Sequence, residues 1–152
     1  MPLATIHEQM RCSFDGDAWH GPAVMEILKG VTAQQAAAKP IANAHSIWEL
    51  VLHMTTWSGV VVRRLRGEAV EPTDAEDYPP VQDKSEAAWQ RAVESLGRGH
   101  EALLTAVENL SESGLADVVP GKPYTVEFML HGVVQHDLYH AGQIALLKKA
   151  LP

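Results

Sequence analysis

Apolar residues in this chain recur at the three-and-four spacing of a helix, and over no useful length at the two-residue spacing of a strand. That pattern leaves only all-α folds open, and the absence of an internal repeat or low-complexity tract excludes a solenoid or a tail. The periodic stretches come in four long pieces, so the expected architecture is a four-helix bundle.

Local signals place the pieces. The first runs over about Leu3 to Phe14, and Asp15-Gly16-Asp17 and Gly21-Pro22 break it around Trp19 and His20 before periodicity resumes at Val24, Ile27 and Leu28. Thr32-Ala-Gln-Gln35 has the form of a capping box, so a short turn begins there and stops before Pro40. Ser46-Ile-Trp-Glu49 is the clearest start signal: Ser46 caps, Glu49 closes the box, and the helix runs to about Arg66, where Gly67 ends it. Residues 67–82 are rich in acids and prolines and read as a long connection. Asp83-Lys-Ser-Glu86 caps a third helix with the stripe Trp89, Val93, Leu96, Leu103 and Val107. After an irregular link from Ser111 to Tyr124, Thr125 caps the last helix, which continues through Leu147.

About 16 extended residues reach roughly 50 Å, whereas a 20-residue helix spans about 30 Å. The 67–82 connection can therefore cross the whole bundle and leave the second and third long helices parallel.

At 152 residues the chain fits one domain, 1–152, and can bury a core without disulfides or a structural metal. Its one cysteine, Cys12, permits no intrachain disulfide, and Met1 to Phe14 carries neither a basic leader nor a long apolar run, so a cytoplasmic location is expected. No stretch approaches the roughly 18 apolar residues of a membrane span. A formal charge of −7, with no basic cluster longer than Arg63-Arg64-Leu65-Arg66, speaks against nucleic acid as a partner.

The chemistry lies in the histidines. Eight of them in a chain of this length give about 0.4 pairs at spacing i, i+4 by chance, so His136-Asp-Leu-Tyr-His140 is weak evidence by spacing alone. A hydrogen-bonded pair in the core, or a pair at the surface, would look the same. On a helix the two rings share a face, together with Met129, Gly132, Val133, Gln143 and Leu147, and Gly132 leaves room one turn away. His53 lies in line with Leu50, Trp57 and Val60, pointing inward at similar depth if its helix runs antiparallel to the last one. Three inward imidazoles at one level predict a divalent metal ion held by His53, His136 and His140 with coordination positions left open. Because the core needs no staple, such a metal serves function rather than folding.

His100 sits on an apolar stripe but about 12 Å deeper than His53, and reads as a core or substrate-side residue rather than a ligand. His7, His45 and His131 read as structural or solvated. His20, at the break, is a candidate for approach to a pocket. Gln143, Asp137 and Tyr139 are candidates to support the ligands or meet substrate, and Trp57 to form an apolar wall; each has the alternative of plain packing or surface polarity.

The pattern Ser46-Ile-Trp-Glu-Leu-Val-Leu-His53-Met, followed by His136-Asp-Leu-Tyr-His140-Ala-Gly-Gln-Ile, resembles the DinB/YfiT-like superfamily of metalloenzymes, and the likeness extends to the turn from Gly16 to Pro22. The resemblance implies an up-down-down-up four-helix bundle with a long crossover between the second and third helices. It implies a three-histidine site for nickel or zinc, with manganese or iron as alternatives, and a homodimer. Some relatives transfer low-molecular-weight thiols and others look like hydrolases, so it implies a metal-dependent transferase or hydrolase acting on a small-molecule substrate. A non-catalytic metal-binding dimer with a sensor or stress-associated role is the alternative.

Overall fold

The computed structural model describes residues 2–151, and among these the chain is all-helical, with one isolated antiparallel bridge between Val118 and Thr125. Four long helices, α1 (Leu3–Asp15), α4 (Ile47–Leu65), α6 (Glu86–Glu108) and α7 (Val126–Ala150), are joined by the short helices α2 (Val24–Leu28), α3 (Ala33–Ala37) and α5 (Asp74–Asp77), and by a 3₁₀ turn, Glu112–Ala116. None of the helices is long and apolar enough to cross a membrane.

Side-chain caps set the helix starts. The Ser46 hydroxyl accepts the Glu49 amide at 3.1 Å while the Glu49 carboxylate accepts the Ser46 amide at 2.7 Å, satisfying two amides that have no intrahelical partner. Thr32 and Gln35 do the same for α3, and Thr125 caps α7. At the start of α6 the cap is Ser85, which accepts from Ala88, and Asp83 instead accepts the Ser85 amide at 2.9 Å. Within the Asp83-Lys-Ser-Glu86 signal the cap is therefore Ser85, two residues later than the first residue of the box. α4 ends where Gly67 takes φ +89°, a left-handed conformation that suits glycine and turns the chain into the connection. The final helix runs three residues past Leu147.

Two apolar clusters fill the interior. One gathers Trp48, Trp89, Phe14 and Ile144, and the Trp89 indole N–H donates to the Val31 carbonyl at 2.6 Å. The other gathers Ile6, Met10, Leu103, Val107 and Leu130. Between them, on α4, α6 and α7, lie the buried polar residues His53, Ser58, His100, Asp137 and His140. The molecule therefore has a polar layer between two greasy ones, and buried polar groups are costly unless something satisfies them. Trp48 meets Trp89 with ring centroids 5.2 Å apart, and ten residues further along both helices a Cβ on Gly99 would stand 3.5 Å from that of Ser58.

A candidate metal centre

His53, from the second turn of α4, and His136 and His140, one turn apart on α7, meet in this layer. The Nε2 atoms of His53 and His136 are 2.9 Å apart, and those of His140 and His136 are 3.1 Å apart. One ring nitrogen from each of the three lies within 4.8 Å of the others, a cluster compatible with metal binding. His53 and His140 are buried and His136 is partly exposed, so the cluster has one open side.

Hydrogen bonds at the far side of two rings decide what the near side offers. His53 Nδ1 lies 3.0 Å from the Asp77 carbonyl and 3.0 Å from the Asp77 carboxylate, and His140 Nδ1 lies 2.6 Å from Gln143 Oε1. All three partners are acceptors, so each Nδ1 carries the proton and donates it. A neutral imidazole has only one N–H, and both Nε2 atoms therefore present lone pairs to the same point, where His136 Nε2 also stands. Converging lone pairs repel unless a cation or proton lies among them. Tetrahedral zinc with bonds of about 2.05 Å sets neighbouring nitrogens about 3.3 Å apart, close to the spacing found. The donor set fits a divalent ion.

Burial depresses basicity in the cluster. It pushes the His53 imidazole below its ordinary value against the pull of the Asp77 bonds, and it holds His140 at about 4 despite the bond to Gln143. Neutral rings at physiological pH are the form a metal requires.

The irregular connection supplies two residues that helical periodicity did not indicate. Tyr78 stacks on His53 at 4.2 Å between centroids, 10° from parallel, and also covers His45 at 3.8 Å. Asp77 supports His53 and accepts the Trp57 indole N–H at 2.6 Å. The one available signal is Thr73 followed by Asp74-Ala-Glu-Asp77, which forms a short helix inside the connection.

The other anticipated residues divide. Gln143 bonds His140, Trp57 stands 6.2 Å from the His136 ring, and Asp137 is buried with an oxygen 3.8 Å from His136 Nδ1, beyond hydrogen-bond reach. Tyr139 packs edge-on to His140 at 5.2 Å but is 66% exposed. His20 does not join the site: it is exposed in a separate crevice with Cys12, Trp19, Val134 and Leu138. Residues 134 and 138 lie about 200° around α7 from 136 and 140, so the break in the first helical stretch faces the wrong side. His100 is buried outside the triad, stacked on Phe14 at 3.8 Å with neither ring nitrogen hydrogen-bonded.

An apolar pocket of about 250 Å³ between α4 and α7 opens on His136. Gly132 lines it, and no atom comes within 4 Å of where its Cβ would be, so the space expected beside the pair exists.

A family model described as the DinB superfamily matches residues 18–144. No curated protein and no solved structure matches the chain significantly.

Proposed function

The chain belongs to the DinB superfamily, and from that premise we propose that it is a metal-dependent enzyme in which His53, His136 and His140 hold a divalent ion, nickel or zinc, for chemistry on a small, largely apolar substrate. The observation that carries this reading is the tautomer argument: His53 and His140 each spend their only N–H on an oxygen acceptor and aim lone pairs at one point. When bound there, a divalent ion acidifies a water or thiol brought to it, supplying a nucleophile near neutral pH.

The protein's own groups do the rest. Asp77 and Gln143 fix ring orientation and tautomer, Tyr78 covers His53 on the solvent side of α4, and Trp57 walls the approach to His136. The serine lining the pocket, Ser58, gives its hydroxyl proton to the Met54 carbonyl at 3.0 Å and is not poised to attack. The nucleophile is therefore external: a low-molecular-weight thiol transferred to an electrophile in the first reading, water in a hydrolysis in the second.

The wider arrangement is proposed with it. The equal offset of the Trp48–Trp89 and Ser58–Gly99 pairs supports parallel α4 and α6, and the Arg64–Tyr124 bond with the His53–His136 contact supports antiparallel α4 and α7. Together these favour the up-down-down-up bundle, folded as one domain in the cytoplasm. Phe128, Tyr139 and Leu146 are each at least 60% exposed, and they fall within about 20° of one another around α7. That apolar stripe favours a homodimer.

Elemental analysis of untagged protein, followed by zinc and nickel titration of His53→Ala, His136→Ala, His140→Ala and His7→Ala, tests the site. The three triad variants are expected to lose the ion and His7→Ala, near Glu108 on the outer seam, to keep it. Stoichiometric metal in the triad variants would end the proposal. Thiol consumption with model electrophiles, and ester or amide cleavage, separate the two reactions; metal occupancy without turnover in either favours the non-catalytic sensor dimer.

A further inference from the structure

The pocket that opens on His136 is apolar along its length and polar at its two ends, with acceptor oxygens at one end and donors at the other. Beside His136 lies Asp137, buried to 4% exposure and accepting no hydrogen bond among the described residues. At the other end lies Arg64, also 4% exposed, with its guanidinium 5.5 Å from the centre of the Trp57 ring. Trp57 stands between the two ends, its ring 6.2 Å from that of His136 and 5.5 Å from the Arg64 guanidinium.

Arg64 is not fully used by the fold. Its Nε donates to the Val70 carbonyl, Nη2 to Val70 and to the Glu71 carboxylate, and Nη1 to the Tyr124 hydroxyl oxygen. A guanidinium has five N–H bonds, so one on Nη1 is left over. Tyr124 accepts from Arg64, and its own hydroxyl proton has no acceptor among the described residues. Both groups line the pocket, so its far end offers two adjacent donors. Charge points the same way. Glu71 is shared between Arg64 and Lys122, which leaves two cations on one carboxylate and a net positive charge at that end.

We propose that this pocket binds a small carboxylate with an apolar, ring-sized body, the carboxylate docking on Arg64 Nη1 and the Tyr124 hydroxyl and the opposite end reaching the triad. The body lies against Trp57 and Phe128. The donors set the direction: the Arg64 and Tyr124 end offers N–H and O–H groups without acceptors among the described residues, whereas the Asp137 end offers oxygens, whose lone pairs cannot pair with those of a carboxylate. The proposal names the substrate class for the metal centre and rests on that reading for its chemistry, but the binding itself needs no metal.

The test uses the full chain freed of metal by dialysis, with 3-phenylpropionate and the isosteric 3-phenylpropionamide as probes, followed by calorimetry and by the shift of the Trp57 indole N–H. The carboxylate is expected to bind about tenfold more tightly than the amide, the increment of one charge-assisted hydrogen bond. Tyr124→Phe, which removes only an oxygen, is expected to weaken the carboxylate several-fold and the amide, whose carbonyl is a weaker acceptor, by less. Gly132→Leu, whose side chain fills open pocket space, is expected to abolish both. Equal affinities for the two probes, no binding of the carboxylate, or a Gly132→Leu protein that is folded by circular dichroism and still binds would each overturn the proposal. Zinc titration of the same proteins reads the triad separately: loss of zinc binding in wild type with carboxylate selectivity intact sinks the metal reading alone, and the reverse sinks only the pocket.

Discussion

Replacing Gln143 should weaken metal binding more than replacing Asp77, although both bond a histidine of the cluster. The difference follows from how many acceptors each ring has. His140 Nδ1 has one, Gln143 Oε1 at 2.6 Å, whereas His53 Nδ1 has the Asp77 carbonyl and carboxylate, each at 3.0 Å. Gln143→Met keeps the length of the side chain and strips His140 of its only partner, freeing the ring to rotate and the proton to move to Nε2, where it blocks the metal. Loss of such a supporting bond costs about 10- to 100-fold in affinity, about 1.4–2.8 kcal/mol. Asp77→Ala leaves the backbone carbonyl in place, so the expected loss is under about fivefold, at or below the lower end of that range. Gln143→Glu retains an acceptor and is expected to hold affinity near wild type. Competitive zinc titration against a chromophoric chelator at fixed pH measures all three. Unchanged affinity in Gln143→Met, or a larger loss in Asp77→Ala than in Gln143→Met, would refute the claim that these oxygens fix the tautomers.

Three further outcomes are expected. Acid should destabilise the metal-free protein: His140 sits at about 4 in the fold against an ordinary 6.5, so its contribution is intact above pH 6.5 and drains as pH falls toward 4. By pH 5.0 the loss from that ring is at most about 2 kcal/mol, and a urea midpoint that does not move between pH 7.5 and 5.0 contradicts it. His100, held below its ordinary value by burial, titrates in the same direction. Since neither of its nitrogens has a partner, His100→Phe, which preserves the stack on Phe14, should raise stability by about 1–2 kcal/mol in thermal melts, and a lowered melting temperature would show that the ring is satisfied by something else. Ser46→Ala removes one arm of the capping box and should cost about 1 kcal/mol in chemical denaturation, with no effect meaning that packing alone starts α4.

Helix positions and the two halves of the triad were legible in the residues because the forces that set them are local. A cap such as Ser46 or Thr125 reaches an amide three residues on, and the i, i+4 spacing of His136 and His140 turns both rings to one side whatever surrounds them. His53 was legible for the related reason that an inward stripe on α4 contains it.

What the residues did not announce lies where periodicity ends. Asp77 and Tyr78 reach the site from a connection whose path depends on the contacts it finds across the bundle, and composition shows only that it is not a long helix. His20 fails for the same reason in reverse: a loop residue near a break is placed by tertiary packing, which set it beside Cys12 on another face of α7. The isolation of His100, the absence of a hydrogen bond to Asp137 among the described residues and the one spare N–H of Arg64 are likewise properties of burial, which no single segment determines. Short-range hydrogen bonds and helical geometry are written in neighbouring residues, whereas the pocket and the polar groups at its ends exist only once separate helices close around the same space.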